Sequence, residues 1–453
     1  MEYAAILLSF AALFFLEVRW SDKKTLSMPI LFTAYWGVLI GVGIPLYWES
    51  FPFDYRSFYW ILLMCAVFWG GDRISVCWLK RTGRYDRTVC LEDPVHRQPV
   101  SMMIRIVRNC LLLRLAGVLY YMALNDIGLL DVVLPSRFLS TLNRLTLLKY
   151  HALPTKFSPL ISITNTLSFT GLLLLGLYGK DFPGKARWKM GGLATGVFCF
   201  SMVIFASKSD IIFAVLLFCA GLFVRLMIDQ FDFVGWGRQH KKLLLGLILL
   251  GIAGILLLSL FIVVRSGFQK GLMDGLKQYG FGMIPTFDRY FASMRPDKLA
   301  WGQYTLYGVW DFLGLGNPDV TQGIYREISL GAGNYASNVF TAFRSLIDDF
   351  GLPGCAAFFV LMGVLHGILT NRCRADRTLA LAPSVLCFLA FFLLNSFLIS
   401  AGNYFSVCLA HGFLYLILGD VKGRWAKRKA EVCSWWNRSL IWLRQRRRTH
   451  GES

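Results

Sequence analysis

Arg265 closes one long apolar run of this 453-residue chain, Lys208 closes another, and Arg344 precedes a third. Cations delivered from separate helix ends to one membrane level suit an anionic group at the depth of lipid headgroups. A polyprenyl diphosphate is such a ligand: its tail stays in the bilayer, and its phosphates take charge-assisted hydrogen bonds, bidentate from Arg. The competing reading is that these cations pair with neighbouring acids or with ordinary lipid phosphates.

The elements that must position these groups are membrane spans. The chain is 56% hydrophobic and 16% charged, too little charge for a soluble surface of this size. Eleven apolar runs read as spans, near 3–18, 28–48, 58–79, 109–134, 158–179, 190–206, 211–228, 243–264, 352–370, 379–400 and 403–419. Most of the 47 Lys and Arg fall in alternate loops, which places the N-terminus outside and accounts for the net charge of +20 without nucleic acid. Arg73 and Arg114 lie inside spans, where a long side chain snorkels to the cytoplasmic interface, with Asp72 a partner for Arg73. The expected fold is an all-α polytopic membrane protein, one integral membrane domain over 1–453 with a large outer loop at 265–351 and a basic amphipathic cytoplasmic tail at 420–453.

That tail interleaves Trp425, Trp435, Trp436 and Trp442 with cations, a pattern suited to lying on anionic lipid. Phe138, Leu142, Leu145 and Leu148 recur at helical spacing and predict a second interfacial helix, over the outer mouth. The eleven Cys show no zinc spacing and read as reduced, mostly buried thiols. The N-terminus lacks a basic n-region and a cleavage site, so it reads as a retained first span.

The outer loop is too long to be a simple connection, and long ordered loops carry function. Arg289 and Arg344 are among its cations, Glu327, Asp348 and Asp349 among its acids. Asp348 and Asp349 are candidates for a general base, or for holding Arg344 and ordering the entrance to the next helix. The DFG at 349–351 lacks every other kinase element, and GLGN and GAGN lack the strand and helix of a nucleotide site. The six His are scattered, with only His151 in an outer loop, so no metal site is expected.

The run WGQYTLYGVWDFLGLG (301–316) followed by SNVFTAFRSLIDDFGLPG (337–354) resembles the oligosaccharide repeat unit polymerases, the Wzy-type O-antigen and exopolysaccharide polymerases. Asn338, Val339, Phe340 and Thr341, then Asp349, Phe350, Gly351 and Gly354, carry the second part of that likeness, and FASKSDIIF (205–213) belongs to the matching region. The resemblance implies a C-type (GT-C) glycosyltransferase at the periplasmic face of a bacterial inner membrane. Its donor would be the growing glycan on undecaprenyl diphosphate, its acceptor the newly flipped lipid-linked repeat unit. Transfer would invert the anomeric carbon without cofactor or metal, and a chain-length regulator protein would be a partner. Arg265, Arg289, Lys208 and Arg344 would stabilise the departing diphosphate. Asp349, then Glu327 or His151, would take the acceptor proton, and Asn338, Tyr304, Tyr335 and Thr341 would hold sugar. Two alternatives stand beside this reading. An O-antigen ligase would pass the same donor to lipid A core. A polysaccharide or lipid transporter predicts an internal repeat and charges buried at mid-membrane, whereas the spans look almost free of charge.

Overall fold

Backbone polar groups in hydrocarbon must be satisfied within their own segment, and apolar runs of this length do so as helices. A computed structural model describes residues 1–21, 26–83, 100–149, 158–232, 235, 276–294, 299–316, 325, 328–329, 336–337, 339–375 and 380–419. In chain order the first helices are α1 (Glu2–Trp20), α2 (Met28–Tyr47), α3 (Arg56–Arg81), α4 (Val100–Leu124), α5 (Leu129–Val133), α6 (Pro135–Lys149) and α7 (Pro159–Tyr178). They are followed by α8 (Gly184–Ile204), α9 (Lys208–Ile228), α10 (Met283–Ser293), α11 (Tyr307–Phe312), α12 (Ala342–Ala375), α13 (Leu381–Asn395) and α14 (Phe405–Gly419). Six of these, α1, α2, α3, α7, α9 and α12, are long and apolar enough to cross a membrane. Among the described residues the only ladder is a two-residue antiparallel pair, Ile328 with Ser337 and Ser329 with Ala336.

Local chemistry fixes several boundaries. Ser158 caps α7, its Oγ accepting from the Leu160 amide at 3.3 Å, with Pro159 in the first turn. The run expected at 109–134 folds as α4, which starts at Val100 because Arg105 and Arg108 occupy exposed positions and do not interrupt the helix. It stops near Asp126, whose φ is +52°. The run expected at 379–400 ends as a helix at Asn395, and 352–370 extends in both directions into α12.

Tight packing is made by small residues. A Cβ on Gly71 would collide with Val360 O, one on Gly363 with Phe68 O, and one on Gly367 with Ser75 Oγ, so α3 and α12 touch backbone to backbone. Gly363 and Gly367 are four apart, the spacing that lets membrane helices approach closely. Above this contact lies an aromatic core: Phe32 stacks on Phe359 at 5.7 Å, Phe343 on Phe359 at 5.4 Å, and Phe287 meets Phe343 at 5.8 Å. Such pairs add about 0.5–1.5 kcal/mol each beyond area burial. The amphipathic helix expected around 138–148 is α6: Leu142, Leu145 and Leu148 are buried, the last two in a cluster with Val118, Tyr121, Ile161 and Ile204 of α4, α7 and α8. No disulfide joins the nine described cysteines to one another. The run at 243–264 and the tail at 420–453 lie outside the described residues.

Candidate functional site

The first functional feature is a joint. Helix α12 bends at Gly351, where φ is +68° and ψ is 179°, a conformation that side chains avoid. Pro353 sits in the first turn after the bend, and a Cβ on Gly354 would lie 2.5 Å from Phe350 Cβ. The DFGLPG run therefore encodes a sharp joint between a short helix, 342–350, and the long apolar helix that follows it.

The short helix is stitched to the preceding loop. Asp349, fully buried, accepts from the Tyr304 amide on Oδ1 at 3.0 Å and from the Thr305 amide on Oδ2 at 2.6 Å. Amides of Ala300 and Trp301 donate to the carbonyls of Asp348 and Asp349, both at 3.1 Å. Thr305 in turn passes the connection on, its carbonyl accepting from Ser400 Oγ at 2.7 Å, while Gly308 lies against Asn403. Tyr404 next to it packs on Phe213 of α9 at 4.8 Å between ring centroids, so the turn before α9 belongs to the same end of the bundle. We call this the loop end.

One helical turn before Asp349, the Arg344 guanidinium lies 3.7 Å from the Tyr325 ring centroid, 4.0 Å from Phe340 and 4.7 Å from Tyr290. Its Nε donates to Asp348 at 3.4 Å, and the Tyr290 hydroxyl donates to the other oxygen of Asp348 at 2.5 Å. The result is a cation in an aromatic box with one carboxylate to neutralise it. Burial, with the Asp348 carboxylate adding to it, pushes the Tyr290 phenol well above its ordinary value, so it remains a donor. Helix α10 is anchored from beneath by buried Asp288, which accepts from Ser57 Oγ at 2.6 Å and the Asp54 amide at 2.8 Å. Burial raises the Asp288 pKa, opposed by those two bonds.

Of the residues singled out above, Asp349, Arg344, Tyr304 and Thr341 come together. Tyr304 stacks on Tyr325 at 6.0 Å, and Thr341 is buried with its hydroxyl unpartnered among the described residues. Arg289 projects from α10 as an exposed side chain and does not enter the box. Lys208 is described only as the first residue of α9. Arg265, Glu327, His151, Asn338 and Tyr335 lie outside the described residues. Both oxygens of Asp349 are bound to backbone amides, whereas its neighbour Asp348 retains partial access to solvent.

Three buried polar pairings are not visible in the sequence. Arg114 is only 2% exposed and does not snorkel: its Nη2 donates to Asp210 at 2.9 Å and to Ser201 at 2.6 Å, joining α4, α8 and α9. Its acceptors are Ser201 within α8 and Asp210 in the first turn of α9. At the opposite end of the bundle, Asp72 accepts from Arg73 at 2.8 Å, as expected, and also from His366 Nδ1 at 2.9 Å. Glu17 and Thr33 add a buried pair at 2.8 Å. The apolar helices are therefore not almost free of charge, and that argument against a transporter falls. A period search could have found the Asp72–His366 pair only by recognising Gly363 and Gly367 as a contact stripe.

No family model matches the chain, and no curated protein or solved structure matches it.

Proposed function

We propose that the protein lengthens lipid-diphosphate-linked oligosaccharides, transferring a glycan from polyprenyl diphosphate to the hydroxyl of an incoming lipid-linked repeat unit. In this reading it is an inverting GT-C-type glycosyltransferase of about eleven spans, set in a bacterial inner membrane with the loop end facing the periplasm. The supporting observation is the Asp349 carboxylate bound to the amides of Tyr304 and Thr305. It ties together the two stretches that carry the resemblance to the polymerases, at the same end as the turn before α9.

The chemistry assigned to the loop end follows from its groups. Departure of a diphosphate builds negative charge, which fixed cations stabilise. Arg344 is pre-oriented by its ring box and has Asp348 as a partner that a diphosphate can displace. Arg289, Lys208 and Arg265 are the further cations of this assignment. Asp348 takes the role of proton acceptor from the acceptor hydroxyl, assisted by the Tyr290 hydroxyl that fixes its orientation. Tyr304 and exposed Trp301 offer flat faces for sugar.

The test is extension by the purified protein in detergent or nanodiscs, supplied only with lipid-linked repeat units. A ladder of longer chains, formed without nucleotide sugar, supports the polymerase. Glycan transfer to added lipid A core with no lengthening identifies a ligase, and movement of substrate across the bilayer without new bonds identifies a transporter.

A further inference from the structure

At the end of the bundle opposite the loops, a cleft with an empty volume of about 490 Å³, mouth included, opens between α3, α12 and the segments flanking α1 and α2. Its lining includes Asp72, Arg73, His366, Thr370 and Arg374. The close approach of α3 and α12 at Gly71, Gly363 and Gly367 is what brings these side chains face to face.

The polar groups here are arranged asymmetrically. Asp72 is fully used: Oδ1 takes His366 Nδ1 at 2.9 Å, and Oδ2 takes Arg73 Nε and Nη2 at 3.1 and 2.8 Å. Arg73 Nη1 also donates to the Trp20 carbonyl at 2.9 Å, which holds the guanidinium plane in place. The far nitrogen of His366 and the hydroxyl of Thr370 have no partner among the described residues, although the two side chains belong to residues only 2% and 7% exposed. Buried polar atoms are rarely left this way, because each unmade hydrogen bond is costly. Among the described residues that line the cleft, Arg73 and Arg374 outnumber the one carboxylate, Asp72, and Arg374 also donates from Nη2 to the Met227 carbonyl at 3.1 Å. His366 lies on α12 one turn before Thr370 and two before Arg374, so all three share one face.

We propose that this cleft binds a phosphate group. A tetrahedral oxyanion matches the set: guanidinium forks, a hydroxyl donor, and an imidazole that donates as the cation or accepts from a protonated phosphate oxygen. Asp72 holds His366 and Arg73 in register and does not itself touch the ligand. The phosphate comes either from the headgroup of an anionic lipid on that leaflet or from a soluble phosphate ligand. The site is separate from the loop end and stands whether or not the chain is a polymerase.

The experiment uses the full-length protein in a maltoside detergent free of phosphate. Thermal melting is followed during titration with inorganic phosphate, with chloride at equal ionic strength as control, and separately with short-chain phosphatidylglycerol. Saturable stabilisation by phosphate indicates a soluble ligand, and saturable stabilisation by phosphatidylglycerol alone indicates a headgroup. In either case His366→Asn, which keeps an amide donor beside Asp72 and removes Nε2, and Thr370→Val, which preserves shape, weaken the apparent affinity about tenfold each, the worth of one hydrogen bond to a charged group. Thr370→Val keeps the Asp72–His366 pair and serves where the His366 variant melts abnormally. The proposal is overturned if neither ligand stabilises the protein above chloride, or if folded His366→Asn and Thr370→Val bind as tightly as the parent.

Discussion

Thr305 donates its backbone amide to Asp349 at 2.6 Å across 44 residues of sequence. This bond, with its Tyr304 companion, fastens the segment 299–306 to the joint at Gly351. Replacing Asp349 with Ala leaves two buried amides without acceptors, at about 1–3 kcal/mol each. The expected outcome for Asp349→Ala is faster hydrogen exchange across 299–306 and a lower melting temperature, with Asp349→Asn intermediate because one carbonyl oxygen survives. Lost glycan extension with unchanged exchange would instead return Asp349 to a direct chemical role.

Arg344 is held by planar stacking as much as by charge. Lys at this position keeps the charge and loses the flat face between Tyr325 and Phe340, a contact of about 1–2 kcal/mol in a desolvated site. Extension assays on Arg344→Lys and Arg344→Ala are expected to show comparable loss. Rescue by Lys would mean that only a point charge is needed.

The joint has a steric test. Gly351→Ala must adopt φ near +68° with an extended ψ and is expected to destabilise by about 1–3 kcal/mol. Gly354→Ala meets the Phe350 side chain instead, so shortening that side chain in Gly354→Ala/Phe350→Ala is expected to restore part of the melting temperature. No such rescue is expected for Gly351→Ala/Phe350→Ala, because strain in the backbone remains.

Arg114 and Asp210 form a pair whose members should not be removed singly. Arg114→Met leaves Asp210 with Ser201 alone, and Asp210→Asn leaves a buried guanidinium without its counter-charge, each expected to cost about 3–5 kcal/mol. The double variant Arg114→Met/Asp210→Asn is expected to recover much of the loss, read as a positive coupling in a double-mutant cycle of melting temperatures.

Asp229, just past α9 and outside the apolar helix, supplies a pH test. Burial alone would raise its pKa, but Arg225 at 2.9 Å and Lys180 at 3.0 Å outweigh it and hold the carboxyl below its ordinary value of 3.8. A depressed folded pKa contributes stability above the unfolded value, and that contribution is lost as pH falls through the folded one. Melting temperature is therefore expected to fall on acidification below about pH 4, and Asp229→Asn to flatten part of that limb. An equally steep limb in the variant would assign the acid sensitivity to other carboxylates.

Composition and run length alone determined that the chain folds into helices, several of them long and apolar enough to cross a membrane, because hydrocarbon leaves a long apolar segment no other way to satisfy its backbone. Helical spacing also disclosed α6, whose Leu142, Leu145 and Leu148 repeat on one face whatever they pack against. Only the tertiary structure decided what the charges do. Asp349 serves backbone amides, Arg114 serves Asp210, and His366 meets Asp72, since each partner lies tens to hundreds of residues away. A sequence shows that a charge is present in an oily segment; which neighbour satisfies it depends on the approach of helices, set here by single glycines where a methyl group would hold them apart.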